Sequence, residues 1–286
     1  MLKFFKYFLP HWLFVFENRR RHKIELSERL SQAHQNERNR SAFENDELNL
    51  NSRLDLDYES MIDYLVSKGL DENQIRQGSM PESSLNEIVS LFDDRFKPGA
   101  LRGIHIGNFV GISIGYILSK CYERDNESFI VAIDPNVPHR GIERPNDICI
   151  ELLTRMGIQN NVLCINGYSL EKSLSNDGKV YDGVYNPEKN FALELGAGNQ
   201  LSYLLKLSAD FYHFIVLDGN HNSEYLKREL ELASELIVEN GVIIVDDVDL
   251  NWPSIKKVFE ECQIFGLSNV YTNGRIGILE RVTMTS

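Results

Sequence analysis

Residues 101–113, LRGIHIGNFVGIS, constrain this chain more than any other stretch. Ile104 and Ile106 sit in an apolar run of strand length. The run breaks at Gly107, and beyond Gly111 the apolar residues Ile114, Leu118 and Cys121 return at helical spacing. A strand that passes through a glycine turn into a helix opens an α/β unit, in which ligands bind outside the carboxyl end of the strand. Glycine allows the sharp turn and a close approach of backbone to ligand, and the amides heading the next helix face anionic groups. The spacing is G-x-x-x-G and not the G-x-G-x-x-G of dinucleotide folds, so by itself it reads equally as a bare turn.

The order of the downstream elements decides for a fold. Strand candidates lie at 128–133, 161–165, 212–217, 242–245, 268–271 and 276–279. Helices are predicted through Ile148, Leu152, Leu153 and Met156, through Tyr225, Leu226, Leu230, Ala233, Leu236 and Ile237 to a stop at Asn240-Gly241, and over 254–262. This alternation predicts a Rossmann-like α/β fold with a seven-stranded, mostly parallel sheet covered on both faces. Asn273-Gly274 between the last two strands predicts a hairpin, hence an antiparallel edge. Upstream, Met61, Leu65 and Gly69 mark a short helix, and Ser79-Met80-Pro81-Glu82 has the form of a capping box opening a helix through Leu85, Ile88, Val89 and Phe92. The chain thus divides into an N-terminal helical extension at 1–56, a helical cap at 57–98 and the α/β domain at 99–286.

Acidic residues end three of the strands: Asp134 the second, Asp218 the fourth, Asp246 and Asp247 the fifth. In a parallel sheet these ends share one edge, where like charges repel unless a cation or a hydroxyl-rich ligand balances them. Asp134, 27 residues past Gly107, suits an acceptor for ribose hydroxyls. Asp218, Asp246 and Asp247 form an all-oxygen set of the kind that takes Mg²⁺ or another hard divalent cation; the competing reading is that one or two of them cap helices. His105, flanked by apolar residues, reads as structural, while Asp249 and Asn251 either line an acceptor site or form a turn before Trp252-Pro253.

With these residues in place, 99–281 resembles the class I S-adenosylmethionine (SAM)-dependent methyltransferases, and among them the metal-dependent O-methyltransferases: catechol O-methyltransferase and its bacterial small-molecule and macrolide-sugar relatives. GNFVGIS at 107–113 is similar to that group's G-x-x-x-G-x-S cofactor loop. The resemblance implies that Gly107, Asn108 and Gly111 border the methionine moiety and that Ser113 holds its carboxylate. It places Asp134 at the ribose, Tyr168 and Ser169 on the adenine side, and Asp218, Asp246 and Asp247 at the metal. His221 falls where the family has a basic catalytic residue. The implied reaction is O-methylation of a hydroxyl on a small molecule or glycan, with the metal lowering the pKa of that oxygen and His221 taking its proton. As alternatives, His221 is a helix-start packing residue, and the domain is a nicotinamide-dependent oxidoreductase or a catalytically silent cofactor-binding module. The missing G-x-G-x-x-G counts against the oxidoreductase.

Two stretches stand apart. Residues 1–23 hold Phe4, Phe5, Tyr7, Phe8, Trp12, Phe14 and Phe16, with six basic residues against the single Glu17. Two readings stand level: an interfacial anchor that makes a cytoplasmic protein peripheral to the inner face of the membrane, or a segment packing on the protein's own core or on a second subunit of a homo-oligomer. The insertion at 171–211 contains Leu193-Glu194-Leu195-Gly196-Ala197-Gly198, which imitates a cofactor loop but leaves too few residues after it for seven strands; a substrate lid is expected there. A net charge of −12 excludes a general nucleic-acid binder. Cys121, Cys149, Cys164 and Cys262, without a C-x-x-C pair, fit a reducing compartment and neither a disulfide framework nor a zinc site. No apolar run is long enough to cross a bilayer.

Overall fold

Apolar residues alternate faces along each central strand, and helices cover both. In β4 (Tyr212–Leu217), Phe214 and Val216 face one core while Ile215 and Leu217 face the other. The same alternation runs through β2 (Phe129–Asp134) and the second half of β5 (Ile237–Val245), while β1 (Arg102–Ile106) puts Ile104 and Ile106 in one core with the buried Gly103 and His105 between them in sequence. The computed structural model describes residues 57–170, 199–249 and 251–282. The aromatic-basic segment 1–23, the polar stretch 24–56 and the 171–198 part of the insertion, with Gly196-Ala197-Gly198, lie outside the described residues.

With β3 (Val162–Asn166), β6 (Leu267–Thr272) and β7 (Gly277–Arg281), the strands form a seven-stranded sheet in the order β3-β2-β1-β4-β5-β7-β6. All neighbours are parallel except β7, which runs antiparallel to both β5 and β6. The predicted hairpin forms at Asn273-Gly274: Gly274 takes φ +87°, and the Asn273 side-chain oxygen accepts the amides of Arg275 and Ile276 at 2.8 Å each. One face carries α1 (Tyr58–Ser67), α2 (Glu72–Gln77), α3 (Glu82–Arg95), α4 (Ile112–Arg124) and α5 (Pro145–Arg155). The other carries α6 (Gln200–Ser208), α7 (Ser223–Leu236) and α8 (Pro253–Glu260). No helix among the described residues is long and apolar enough to cross a membrane. All four cysteines are free.

The structure departs from the sequence-based expectations in local ways. Asn240-Gly241 does not stop α7, which ends at Leu236; Ile237 turns directly into the extended backbone of β5, where a β-branched pair (Ile237, Val238) prefers to be. The dipeptide instead lies within β5, on the stretch where its register against β4 shifts. The capping box does not form either. Pro81 is the N-cap of α3 with no side-chain bond, and Ser79 is buried two positions before it. The short helix α2, opened by Asp71 accepting the amide of Gln74, was not foreseen.

Candidate functional site

Gly107 closes the turn after β1 with φ +85°, and a Cβ there would lie 2.0 Å from the backbone oxygen of Asp218 at the end of β4. Only glycine lets the turn lie against the neighbouring strand in this way. The amide of Gly107 donates to Ile133 O at 3.0 Å, and the next residue of β2, Asp134, gathers the rest of the turn. Its Oδ2 accepts the amides of Asn108 (2.8 Å) and Phe109 (3.3 Å), and its Oδ1 accepts the amide of Asn136 (2.7 Å). Asp134 therefore ties the turn after β1 to the turn after β2. A carboxylate offers about four lone-pair sites, so roughly one remains for an outside hydroxyl. Burial raises the Asp134 pKa, and the three amide bonds oppose that rise.

The remaining loop residues hold the scaffold. The side chain of Asn108 is buried and donates to Asn146 Oδ1 at 3.1 Å, fastening the loop to the head of α5. A Cβ on Gly111 would lie 2.9 Å from Cys149 Sγ, so this glycine lets α5 approach. Ser113 is buried in the first turn of α4, where its hydroxyl oxygen accepts the amide of Met80 at 3.2 Å. The segment joining α2 to α3 thus lies over the head of α4. His105 is fully buried in β1, as a structural residue would be.

A second polar group lies between β3 and α7. Ser169 Oγ is 2.5 Å from Glu229 Oε1 and 3.0 Å from Tyr225 Oη, and the amide of Leu170 donates to the same tyrosine oxygen at 3.1 Å. Glu229 is 1% exposed, and burial pushes its pKa to about 8, the Ser169 bond opposing. Sequence reasoning missed Glu229 and Tyr225 because both read as ordinary members of an amphipathic helix.

At the ends of β4 and β5 the four charged or basic side chains foreseen there meet one that was not. Arg275, just past the hairpin turn, donates from Nε to Asp246 Oδ1 (2.9 Å) and from Nη2 to Asp246 Oδ2 (2.7 Å). Its Nη1 lies 2.7 Å from Asp247 Oδ1. The other oxygen of Asp247 is 2.5 Å from His221 Nε2, and the imidazole stacks on Trp252 with centroids 4.0 Å apart and 18° between planes. A carboxylate only accepts, so the partner assigns the proton to Nε2 and leaves Nδ1 as the basic nitrogen. Asp218 is pushed well above the carboxylate range by burial, then by Asp246 and Asp247, with Arg275 opposing. Asp249 accepts the amide of Asn251 at 2.7 Å, which makes this pair the turn before Trp252.

One cleft of about 340 Å³ joins these groups, within the ~300–1,000 Å³ usual for small-molecule sites. Gly107, Phe109, Asp134, Tyr168 and Ser169 line it together with Asp218, His221, Asp247, Trp252 and Arg275. Asn108, Gly111 and Ser113 stand behind it, against Asn146, Cys149 and Met80.

The structure regroups the expected metal set, turning Asp246 to Arg275 and bringing His221 beside Asp218 and Asp247. Asp246 has both oxygens on Arg275 and a side chain only 1% exposed, so it is not presented to an ion. Among the described residues, the ligand atoms that come within 4.8 Å of one another belong to Asp218, His221 and Asp247. Two of these residues are already joined, His221 Nε2 lying 2.5 Å from Asp247 Oδ2 in a hydrogen bond. Cis ligands on an ion with ~2.1 Å bonds sit about 3 Å apart, so His221 Nε2 and Asp247 Oδ2, bonded to each other as placed, do not fit as a cis pair on a metal.

The strand order and the antiparallel β7 give this chain the class I methyltransferase fold. No family profile matches the sequence, and no curated protein matches it. Among solved structures it is similar to a Klebsiella pneumoniae protein assigned to the O-methyltransferases, at 14% identity and a TM-score of 0.50, over 79% of this chain and 90% of that one. Further similar structures are an O-methyltransferase from Bacillus cereus in complex with SAH (15% identity, TM-score 0.48, 78% and 88% covered) and an SAH-bound methyltransferase from Podospora anserina (14%, 0.48, 79% and 88%). At these identities the likeness is one of fold.

Proposed function

We propose that this protein is a SAM-dependent methyltransferase acting on a hydroxyl of a small molecule or glycan. The observation that carries the reading is one cleft lined by the glycine turn, Asp134 and Tyr168 together with Asp218, His221 and Asp247. Such a cleft, at the carboxyl ends of the strands, is where a fold of this kind binds ligands. When bound, SAM supplies a methyl group on a cationic sulfonium, a charge suited to the carboxylates there.

The chain's own residues do the rest. Asp134 keeps a lone pair for a ribose hydroxyl while its other bonds fix the turn that bears on the cofactor. His221, with Nε2 tied to Asp247, accepts the acceptor's proton at Nδ1, and Asp247 steadies the imidazolium that results. Trp252 fixes the ring plane by stacking. Asp218 lines the cleft beside His221, in reach of the acceptor's side of it. Holding oxygen and methyl in line then accounts for several kcal/mol of the barrier.

Calorimetric titration with SAM, with NAD⁺ as the comparison ligand, tests this. Saturable SAM binding that Asp134→Ala weakens by ~10-fold or more is expected, the scale of a lost hydrogen bond to a charged group. A folded protein that binds NAD⁺ and not SAM would sink the reading in favour of the oxidoreductase. With an acceptor in hand, His221→Ala is expected to lower kcat by roughly 10²- to 10⁴-fold while leaving SAM affinity unchanged.

A further inference from the structure

We infer that Arg275 is the fixed cation of this site, standing where the fold family's divalent ion would otherwise balance the strand-end carboxylates. Three carboxylates, Asp218, Asp246 and Asp247, gather at the ends of β4 and β5, and Arg275 is the cationic side chain set among them. It takes Asp246 in the bidentate fork that matches a carboxylate, and it reaches Asp247 with its third nitrogen. Those are two of the three acidic residues that sequence reasoning assigned to a metal.

The arginine is held there from three sides. Asn273 Oδ1 accepts its amide, Val248 donates to its carbonyl oxygen at 3.0 Å, and the hairpin turn at Gly274 sets it beside the end of β5. The placement follows from register. β7 pairs antiparallel to β5 with Gly277 opposite Val245, so a residue two places before Gly277 arrives beside Asp246 and Asp247. Arg275 also completes a chain of contacts, guanidinium to Asp247 to His221, so it acts on the proposed base through the carboxylate as a positioning residue. An ion on Asp246 would have to displace the guanidinium, and one held by both His221 Nε2 and Asp247 Oδ2 would have to break the bond between them. The charge balance at Arg275 stands apart from the methyltransferase reading; only the role of His221 rests on it.

The test is a titration of the metal-stripped full chain with Mn²⁺ and with Mg²⁺, read by calorimetry and by the thermal midpoint, on wild type, Arg275→Gln and Asp246→Asn. The wild type is expected to show no saturable binding and no shift in midpoint with either ion. Removing the guanidinium frees the carboxylates, so Arg275→Gln is expected to take up Mn²⁺ roughly 100-fold more tightly than the wild type, on the scale of a removed charge contact. Saturable wild-type binding that Asp246→Asn abolishes overturns the proposal, and this arm decides even if Arg275→Gln fails to fold. A folded Arg275→Gln as indifferent to Mn²⁺ as the wild type overturns it too. SAM titrated into the same samples separates the two readings. Wild type that binds neither SAM nor Mn²⁺ overturns the methyltransferase and supports the guanidinium; wild type that binds both, with Mn²⁺ lost in Asp246→Asn, overturns the guanidinium alone.

Discussion

A histidine in β1 and a glutamate on α7 give this protein two pH dependences of opposite sign. His105 is fully buried, and burial holds its pKa down to about 4, against 6.5 for the free side chain. Above pH 6.5 neither folded nor unfolded chain carries this proton. As pH falls from 6.5 towards 4, the unfolded chain binds a proton that the folded chain refuses, and stability is lost over that window, by an amount on the order of 3 kcal/mol. His213, whose Nδ1 accepts the amide of Arg102, is also held at about 4 by burial and by the Arg102 and Arg124 charges, and adds to the same limb. Denaturant unfolding at pH 4 to 7 should therefore show a slope that His105→Leu reduces; an unchanged slope would contradict the assignment. Glu229 runs the other way. Its pKa is raised to about 8, so its contribution is fully present below 4.5 and declines as pH rises to 8, by about 1.4 kcal/mol per unit. Glu229→Gln can keep a hydrogen bond to Ser169 without the ionisation, and should match wild type near pH 4.5 yet be a few kcal/mol more stable at pH 8.

At the scale of elements, the turn after β1 is the part least tolerant of change. Gly107→Ala combines φ +85° with a Cβ 2.0 Å from backbone that cannot retreat, and should cost several kcal/mol, seen as a lowered thermal midpoint together with weakened SAM binding. This turn was legible in the sequence because a strand-length apolar run, a glycine turn and helical spacing follow one another directly between Leu101 and Cys121. The inner strands β1 to β4 and the second half of β5 were legible too, as short apolar-rich runs, whereas β6 (LSNVYT) carries Ser268 and Asn269 inside it. What failed were signals with two meanings. Asn240-Gly241 reads as a helix stop, yet α7 ends earlier and the pair lies in the irregular part of β5. Ser79 and Glu82 have capping-box spacing, yet the intervening Pro81 takes the extended N-cap conformation itself.

For the whole molecule, the candidate site is a meeting of segments far apart in sequence, and legibility fell with that distance. Asp134, Asp218 and Asp247 were found because parallel strands bring their ends to one edge. His221 was singled out only through the family resemblance, which places a basic residue at its position. Arg275 was missed because its partner Asp246 lies 29 residues away and is reached through an antiparallel return. The hairpin signal at Asn273-Gly274 carried that information, since the residue after such a turn must land beside the neighbouring strand's end. Asp246 was read towards a metal for the same reason: without Arg275 in view, three carboxylates ask for a cation.

The proposed chemistry depends on SAM occupying the cleft that runs from the glycine turn to His221. Amide hydrogen exchange of the full chain with and without saturating SAM reads this directly. Slower exchange is predicted in residues 107–111, 135–140 and 219–222, with no change at β6 on the far edge of the sheet. Protection confined to residues outside the cleft, or none at a SAM concentration shown to saturate, would contradict it.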